Sequence, residues 1–264
     1  MPTIDVDPRF VDFYFPASVQ YSKGYLGPGH TNLMAYADEI DLIPSSDWPK
    51  HISAADDSKA TLDYLVTYIL NQKSWPACVG NATCKAVEII CAIQAGLDEL
   101  VPLSAMSLYQ RIGNATSGAM VMDAIDELSS RGILPLDTPA NKARFKHTHS
   151  ASDYREPLPA GWEETGKLFR ATEWYAINSF EELVTALLNG HPVVVGRQGH
   201  SILYVRVLLK NGKLSFLYPN SWGIDWGMPA GNLSGGFGVD SETLGRQAAN
   251  GAFALRSVVV LGSN

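Results

Sequence analysis

Asn220-Ser221-Trp222-Gly223-Ile224-Asp225-Trp226-Gly227 is the stretch on which the reading of this chain turns. It opens with an amide side chain at the predicted end of a strand. An amide placed there can hold an imidazole ring in one orientation. His200 lies 20 residues upstream, just after the apolar run Val193-Val194-Val195 and a short glycine-containing step. Two antiparallel strands joined at the tight turn Asn211-Gly212 bring His200 and Asn220 side by side. The matching nucleophile is Cys78, which follows the breaker pair Trp75-Pro76 and opens a predicted helix. A helix N-terminus favours negative charge, so the thiol is expected to titrate below a free cysteine. A thiolate beside an imidazole attacks carbonyl carbon.

Periodicity places these residues on a frame. The apolar set Leu62, Leu65, Val66, Ile69 and Leu70 predicts a helix over 58–72. A second helix over 78–95 is apolar on nearly all sides and so is expected to lie buried between layers. Two more are predicted at about 104–112 and 118–131, the latter ended by Gly132 and Pro135. Residues 136–175 read as an irregular connection. Ser179 and Glu182 form a capping box that starts a helix stopped by Gly190. Strand signals follow at 192–195, 201–209, 213–218 and 252–261. Helices first and antiparallel strands later predict an α+β fold, a helical lobe of about 56–135 against a sheet lobe of about 176–264. Together they form one catalytic domain over 56–264. Residues 1–55, broken by Pro8, Pro16, Gly24, Gly27, Pro28, Gly29, Pro44 and Pro49, read as an extended irregular arm. The arm's aromatics, Phe10, Phe13, Tyr14, Phe15, Tyr21 and Tyr25, predict that it lies across the protein body or docks on a protein partner.

Composition narrows the function classes. Charged residues make up 18% of the 264, below the usual quarter, and apolar residues 46%, which predicts a globular chain. A net charge of -7 without a Lys or Arg run argues against nucleic acid as a partner. No segment reads as a signal peptide or a transmembrane span. Cys78, Cys84 and Cys91 fall on one helix, where disulfide geometry is out of reach, so free thiols and a cytoplasmic or otherwise reducing setting, or a place in an assembly there, are expected. Cys84 and Cys91 read as core residues. No cofactor is expected, and no metal either: the cysteine spacing lacks clustered histidines, and His147 and His149 read as solvated residues of a polar connection.

Taken together, Gln72 six residues before Cys78, His200 at 122 residues beyond it, Asn220 at 142 and the Asn-Ser-Trp-Gly-x-x-Trp-Gly string resemble the papain family of cysteine peptidases. The resemblance spans about residues 60–260. It implies Cys78 as nucleophile, His200 as general base and then acid, and Asn220 as orienter of His200. Gln72, with the Cys78 backbone N–H, would donate to the developing oxyanion. Trp222 would shield the Asn–His contact, and Ser117-Gly118 would meet the backbone of a peptide or protein substrate.

The chain departs from the family pattern at several points. Val79 stands where an aromatic follows the nucleophile, and Trp75 stands where a disulfide cysteine precedes it. Only Gly196 to Gly199 separate the Val193 strand from His200, where the family has a loop of some twenty residues, so part of the substrate-side wall is missing or supplied from elsewhere. No helical prosegment is recognisable, and the arm itself is a candidate cover for the cleft. Three readings stay open: a peptidase cleaving peptide amide bonds, an amidase acting on cell-wall or isopeptide bonds, and a structural or binding component of an assembly built on a peptidase scaffold.

Overall fold

A computed structural model of the protein describes residues 4, 6–12, 24–197 and 199–259. Phe13, Tyr14, Phe15 and Tyr21 of the arm lie outside the described residues. In chain order the helices are α1 (Tyr36–Glu39), α2 (Trp48–Ser58), α3 (Cys78–Ala95), α4 (Ala105–Ile112), α5 (Val121–Ser130), α6 (Pro139–Arg144), α7 (Glu163–Gly166), α8 (Phe180–Leu188) and α9 (Glu242–Ala249). The strands are β1 (Ala171–Ile177), β2 (Val193–Arg197), β3 (His200–Tyr204), β4 (Arg206–Lys210), β5 (Lys213–Pro219), β6 (Met228–Ala230), β7 (Leu233–Ser241) and β8 (Ala252–Val258).

Helix α3 is the axis of the molecule. Fourteen of its eighteen residues are buried, as its all-round apolar sequence predicts, and it packs on α4 and α5 on one side and on β3 and β8 on the other. Two of its buried residues carry charge. The Lys85 ammonium pairs with Glu88 and sits 3.5 Å from the centre of the Tyr68 ring, while Glu88 accepts the Tyr68 hydroxyl and the Leu103 N–H at 2.7 Å. Each ion thus replaces lost water with close partners, which makes its burial tolerable. All three cysteines are free.

Eight antiparallel strands form two sheets of four, ordered β1-β8-β2-β3 and β4-β5-β7-β6. The expected single strand over 201–209 is divided between them: β3 ends at Tyr204, β4 begins at Arg206, and the Val205 N–H bonds the Leu217 carbonyl at 2.9 Å. The β4–β5 hairpin turns at Asn211 and Gly212, with φ of 52° and 73°, the paired positive values a tight hairpin of this hand requires. A second core, with Tyr36, Trp48, Phe180, Tyr204 and Phe216 at its centre, fills the space under α2, α8 and α9. The fold is α+β and papain-like, with a helical part set against antiparallel sheet.

Local signals and tertiary demands disagree in a few places. The helix expected over 58–72 is replaced by the end of α2 and a 3-10 turn at Leu62–Leu65. Lys59 takes a left-handed conformation with φ of 54° that stops α2, and Leu70 and Asn71 are drawn into pairing with Gly223 and Trp222. The supposedly irregular 136–175 contains α6, α7 and the start of β1, and the arm carries α1 and most of α2. The capping box at α8 is present: Ser179 Oγ accepts from Glu182 N at 3.1 Å, and Glu182 Oε2 accepts from Asn178 N at 2.5 Å. Ser179→Ala is therefore expected to lower the unfolding free energy by about 1 kcal/mol, read from chemical denaturation. An unchanged midpoint would mean that water caps the helix equally well.

Candidate functional site

The site is assembled where the start of α3 meets the His200 end of β3. Cys78 is the first residue of α3 and is fully buried. The backbone N–H groups of Ser201, Gly24 and Val79 are directed at its sulfur, so the residue after His200 touches the thiol directly. His200 Nε2 lies 2.9 Å from Asn220 Oδ1, and the same oxygen accepts the Ser221 N–H at 2.8 Å. The Trp222 ring stands 5.2 Å from the His200 ring, and Trp226 packs edge-on against Trp222 at 5.4 Å. The imidazole–amide contact is thus roofed by indole.

The quoted string is fastened to the segment before Cys78. Gln72 N–H bonds the Ser221 carbonyl at 2.8 Å, the Ser221 hydroxyl donates to Gln72 Oε1 at 2.5 Å, and Gly223 N–H bonds the Leu70 carbonyl at 3.0 Å. Gln72 Nε2 donates to the Trp75 carbonyl at 2.8 Å, and its second hydrogen remains on the Cys78 side of the loop's donor set. Cys78, His200, Asn220, Gln72 and Trp222 therefore converge, as their order in the sequence predicts. Gly118 also reaches the site, but Ser117 does not: it is folded into a local turn in which its hydroxyl takes the Asn114 amide and its N–H bonds Asn114 Oδ1 at 2.9 Å.

Across this site runs the arm. Gly24 carbonyl accepts Ala119 N–H at 2.8 Å, Leu26 N–H donates to the Ala119 carbonyl at 3.0 Å, and Tyr25 N–H donates to the Gly199 carbonyl at 3.1 Å. Residues 24–26 thereby form a strand held by Ala119 on one wall and Gly199 on the other, directly over Cys78. A methyl group on Gly24 would lie 2.0 Å from the Pro76 carbonyl oxygen and 2.9 Å from Cys78 Sγ, and one on Gly118 would lie 2.1 Å from the Gly24 carbonyl oxygen. Both glycines are there because backbone passes backbone without room for a side chain. Gly24, Tyr25, Ala119 and Ser221 escaped the sequence reading, since none belongs to a motif and the contacts join residues far apart in the chain.

The cover sets the electrostatics. Burial pushes the Cys78 thiol up to about 11, against the pull of the surrounding N–H groups. This corrects the expectation of a lowered thiol: desolvation under the arm outweighs the helix N-terminus. Burial likewise pushes His200 down to about 4, opposed by its bond to Asn220 and helped by the Arg197 charge. At neutral pH the covered pair is thiol and neutral imidazole, a resting state.

His149, expected to be solvated, is buried instead, with its ring held by Gln110, the Ser104 hydroxyl and the Ser150 and Glu156 carbonyls. Among the described residues no cluster of His, Cys, Asp and Glu has the arrangement of a metal site. No helix among them is long and apolar enough to cross a membrane.

No protein-family model matches the sequence, and no curated protein sequence is similar to it. Solved structures do match. Digestive procathepsin L2 from the larval midgut of Tenebrio molitor superposes with a TM-score of 0.64 at 16% identity, over 96% of this chain and 83% of that one. Digestive procathepsin L 3 of the same organism gives 0.60 at 18%, over 87% and 76%. Xylellain, a cysteine protease from Xylella fastidiosa, gives 0.54 at 18%, over 72% and 83%. At these identities the likeness establishes the papain-like fold.

Proposed function

We propose that the protein is a cysteine peptidase of the papain type that hydrolyses peptide amide bonds, and that residues 24–26 keep it in a covered resting form. The observation that carries this reading is the 2.9 Å contact between His200 Nε2 and Asn220 Oδ1 beside a thiol at the head of a buried helix. With Nε2 committed to Asn220, the other ring nitrogen is left for the proton of Cys78. Once the cover moves aside, Cys78 Sγ bonds to the substrate carbonyl carbon and its proton passes to His200. The resulting oxyanion takes the Cys78 N–H and the Gln72 amide as donors. His200 returns the proton to the leaving amine as the C–N bond breaks. Water then attacks the thioester with His200 as base, releasing the acid and restoring the thiol.

Hydrolysis of a mixture of fluorogenic peptides by the Gly24→Val chain tests the proposal. Turnover that disappears in a Gly24→Val/Cys78→Ala chain supports it; no turnover, or turnover that survives loss of the thiol, overturns it. His200→Ala in the Gly24→Val chain is expected to slow alkylation of Cys78 below pH 8 by at least about tenfold, measured by mass spectrometry. The complete burial of Cys78 favours one rival reading, a scaffold that performs no chemistry and docks through its arm. A thiol that stays inert after the arm is displaced would select that rival.

A further inference from the structure

The glycine at position 196 has no conformational reason to be there. It lies inside β2, paired with Ser201 across the β2–β3 hairpin, and its φ is outside the left-handed region that calls for glycine. The three preceding residues are all valine, the natural filling of a buried strand. Glycine in such a place marks the close approach of something else. What approaches is the phenol of Tyr25: a methyl group on Gly196 would lie 1.8 Å from Tyr25 Cζ and 2.2 Å from its hydroxyl oxygen. The ring is half-buried, and its hydroxyl is pushed up in pKa by that burial.

The same arm residue has its backbone held as a bound peptide would be. Ala119 bonds the residues on either side of Tyr25, and Gly24, its neighbour, passes over the Cys78 sulfur. The arm therefore shows what the cleft accepts: a residue without a side chain at the thiol, and an aromatic ring beside it over Gly196. We infer that Gly196 is a specificity-determining residue that opens a slot for an aromatic side chain, so that the preferred ligands are peptide segments with a tyrosine or phenylalanine next to a glycine near the bond attacked. This rests on the peptidase reading for its catalytic meaning, whereas the binding slot stands on the geometry. Arm and substrate compete for one slot, so filling it has two opposite effects: it expels the arm and it rejects the aromatic ligand.

The experiment reads binding without requiring turnover. In the Gly24→Val chain, alkylation of Cys78 by iodoacetamide is followed with acetyl-Gly-Tyr-Leu-amide, which copies residues 24–26, or with acetyl-Gly-Ala-Leu-amide. The tyrosine peptide is expected to protect Cys78 at a concentration at least about tenfold lower than the alanine peptide, and Gly196→Val added to that chain is expected to erase the difference. In the otherwise unaltered protein Gly196→Val is expected to raise the alkylation rate by at least about tenfold, because the Tyr25 ring is pushed out. Gly196→Ala, the gentler change, should act in the same direction on both readouts, and it replaces the valine variant if that chain does not fold. Equal protection by the two peptides, or a tyrosine preference that survives substitution of Gly196, would overturn the inference. Protection without hydrolysis would leave the slot standing while removing the peptidase reading.

Discussion

Replacing Gly24 with valine is expected to raise the rate at which iodoacetamide alkylates Cys78 near neutral pH by about a hundredfold. Any side chain at position 24 would overlap the Pro76 carbonyl oxygen, fixed backbone at the head of α3, so the arm has to lift from the sulfur. Lifting it readmits water. The thiol, held at about 11 by burial, then falls toward the range of a free cysteine, near 8.5, and below that as the imidazolium of His200 becomes available. Each pKa unit is roughly a tenfold gain in thiolate, which gives the size of the effect. The pH profile should change with it: alkylation persists well below pH 8 in the substituted chain, whereas the parent chain reacts appreciably only as pH climbs toward 11. A change of less than about threefold would show that the arm does not control access to Cys78. Substitution is a cleaner probe than truncation of residues 1–45, because Tyr36 is wholly buried and its hydroxyl lies 2.8 Å from His191 Nδ1.

A second large effect is expected away from the thiol, at Asp240. Its carboxylate is fully buried between the Arg197 guanidinium and the Tyr204 hydroxyl, which donates to it at 2.6 Å. Asp240→Ala leaves the Arg197 charge in the interior without its carboxylate, and breaking a buried pair from one side costs about 3–5 kcal/mol. Denaturant unfolding of Asp240→Ala, Arg197→Leu and the double variant would measure it, with the double variant expected to recover part of the loss. A cost below about 1 kcal/mol for Asp240→Ala would mean that the pair is solvated.

The same residue carries a pH signature. Burial is the largest influence on Asp240 and pushes its carboxyl up to about 6, against the opposing pull of Arg197 and Tyr204. Between the ordinary carboxyl value of 3.8 and about 6 the folded chain holds a proton that the unfolded chain has released, so this residue's contribution to stability falls as pH rises through that window. In Asp240→Asn that downward component should be missing.

How much of this could be read from sequence depended on the range of the interaction. The start and end of α3, the capping box at Ser179 and the turn at Asn211-Gly212 are local, decided by residues within a few positions of one another, and each lies where the sequence places it. The glycine-rich β7 was missed because its strand character comes from neighbours: a side chain on Gly238 would collide with the Tyr218 hydroxyl, 2.5 Å away. Likewise the switch of sheets at Val205 leaves no mark in an unbroken apolar run. At the site, the positions of Cys78, His200, Asn220 and Gln72 were legible, and the ionisation of the first two was not. The thiol's position follows from the helix it heads, while its pKa follows from a glycine more than fifty residues earlier that shares no pattern with it.

The division at Val205 has a mechanical side. His200 begins a ribbon that runs through both sheets and folds back at Asn211-Gly212 to deliver Asn220, so the imidazole and its amide ride on one piece of chain anchored twice. Cys78 rides on α3 instead. If the helical half rocks against the sheets, the gap between sulfur and imidazole changes while the gap between imidazole and amide stays constant. Breathing of this molecule therefore acts as a throttle on proton transfer from the thiol and leaves the aim of the base undisturbed.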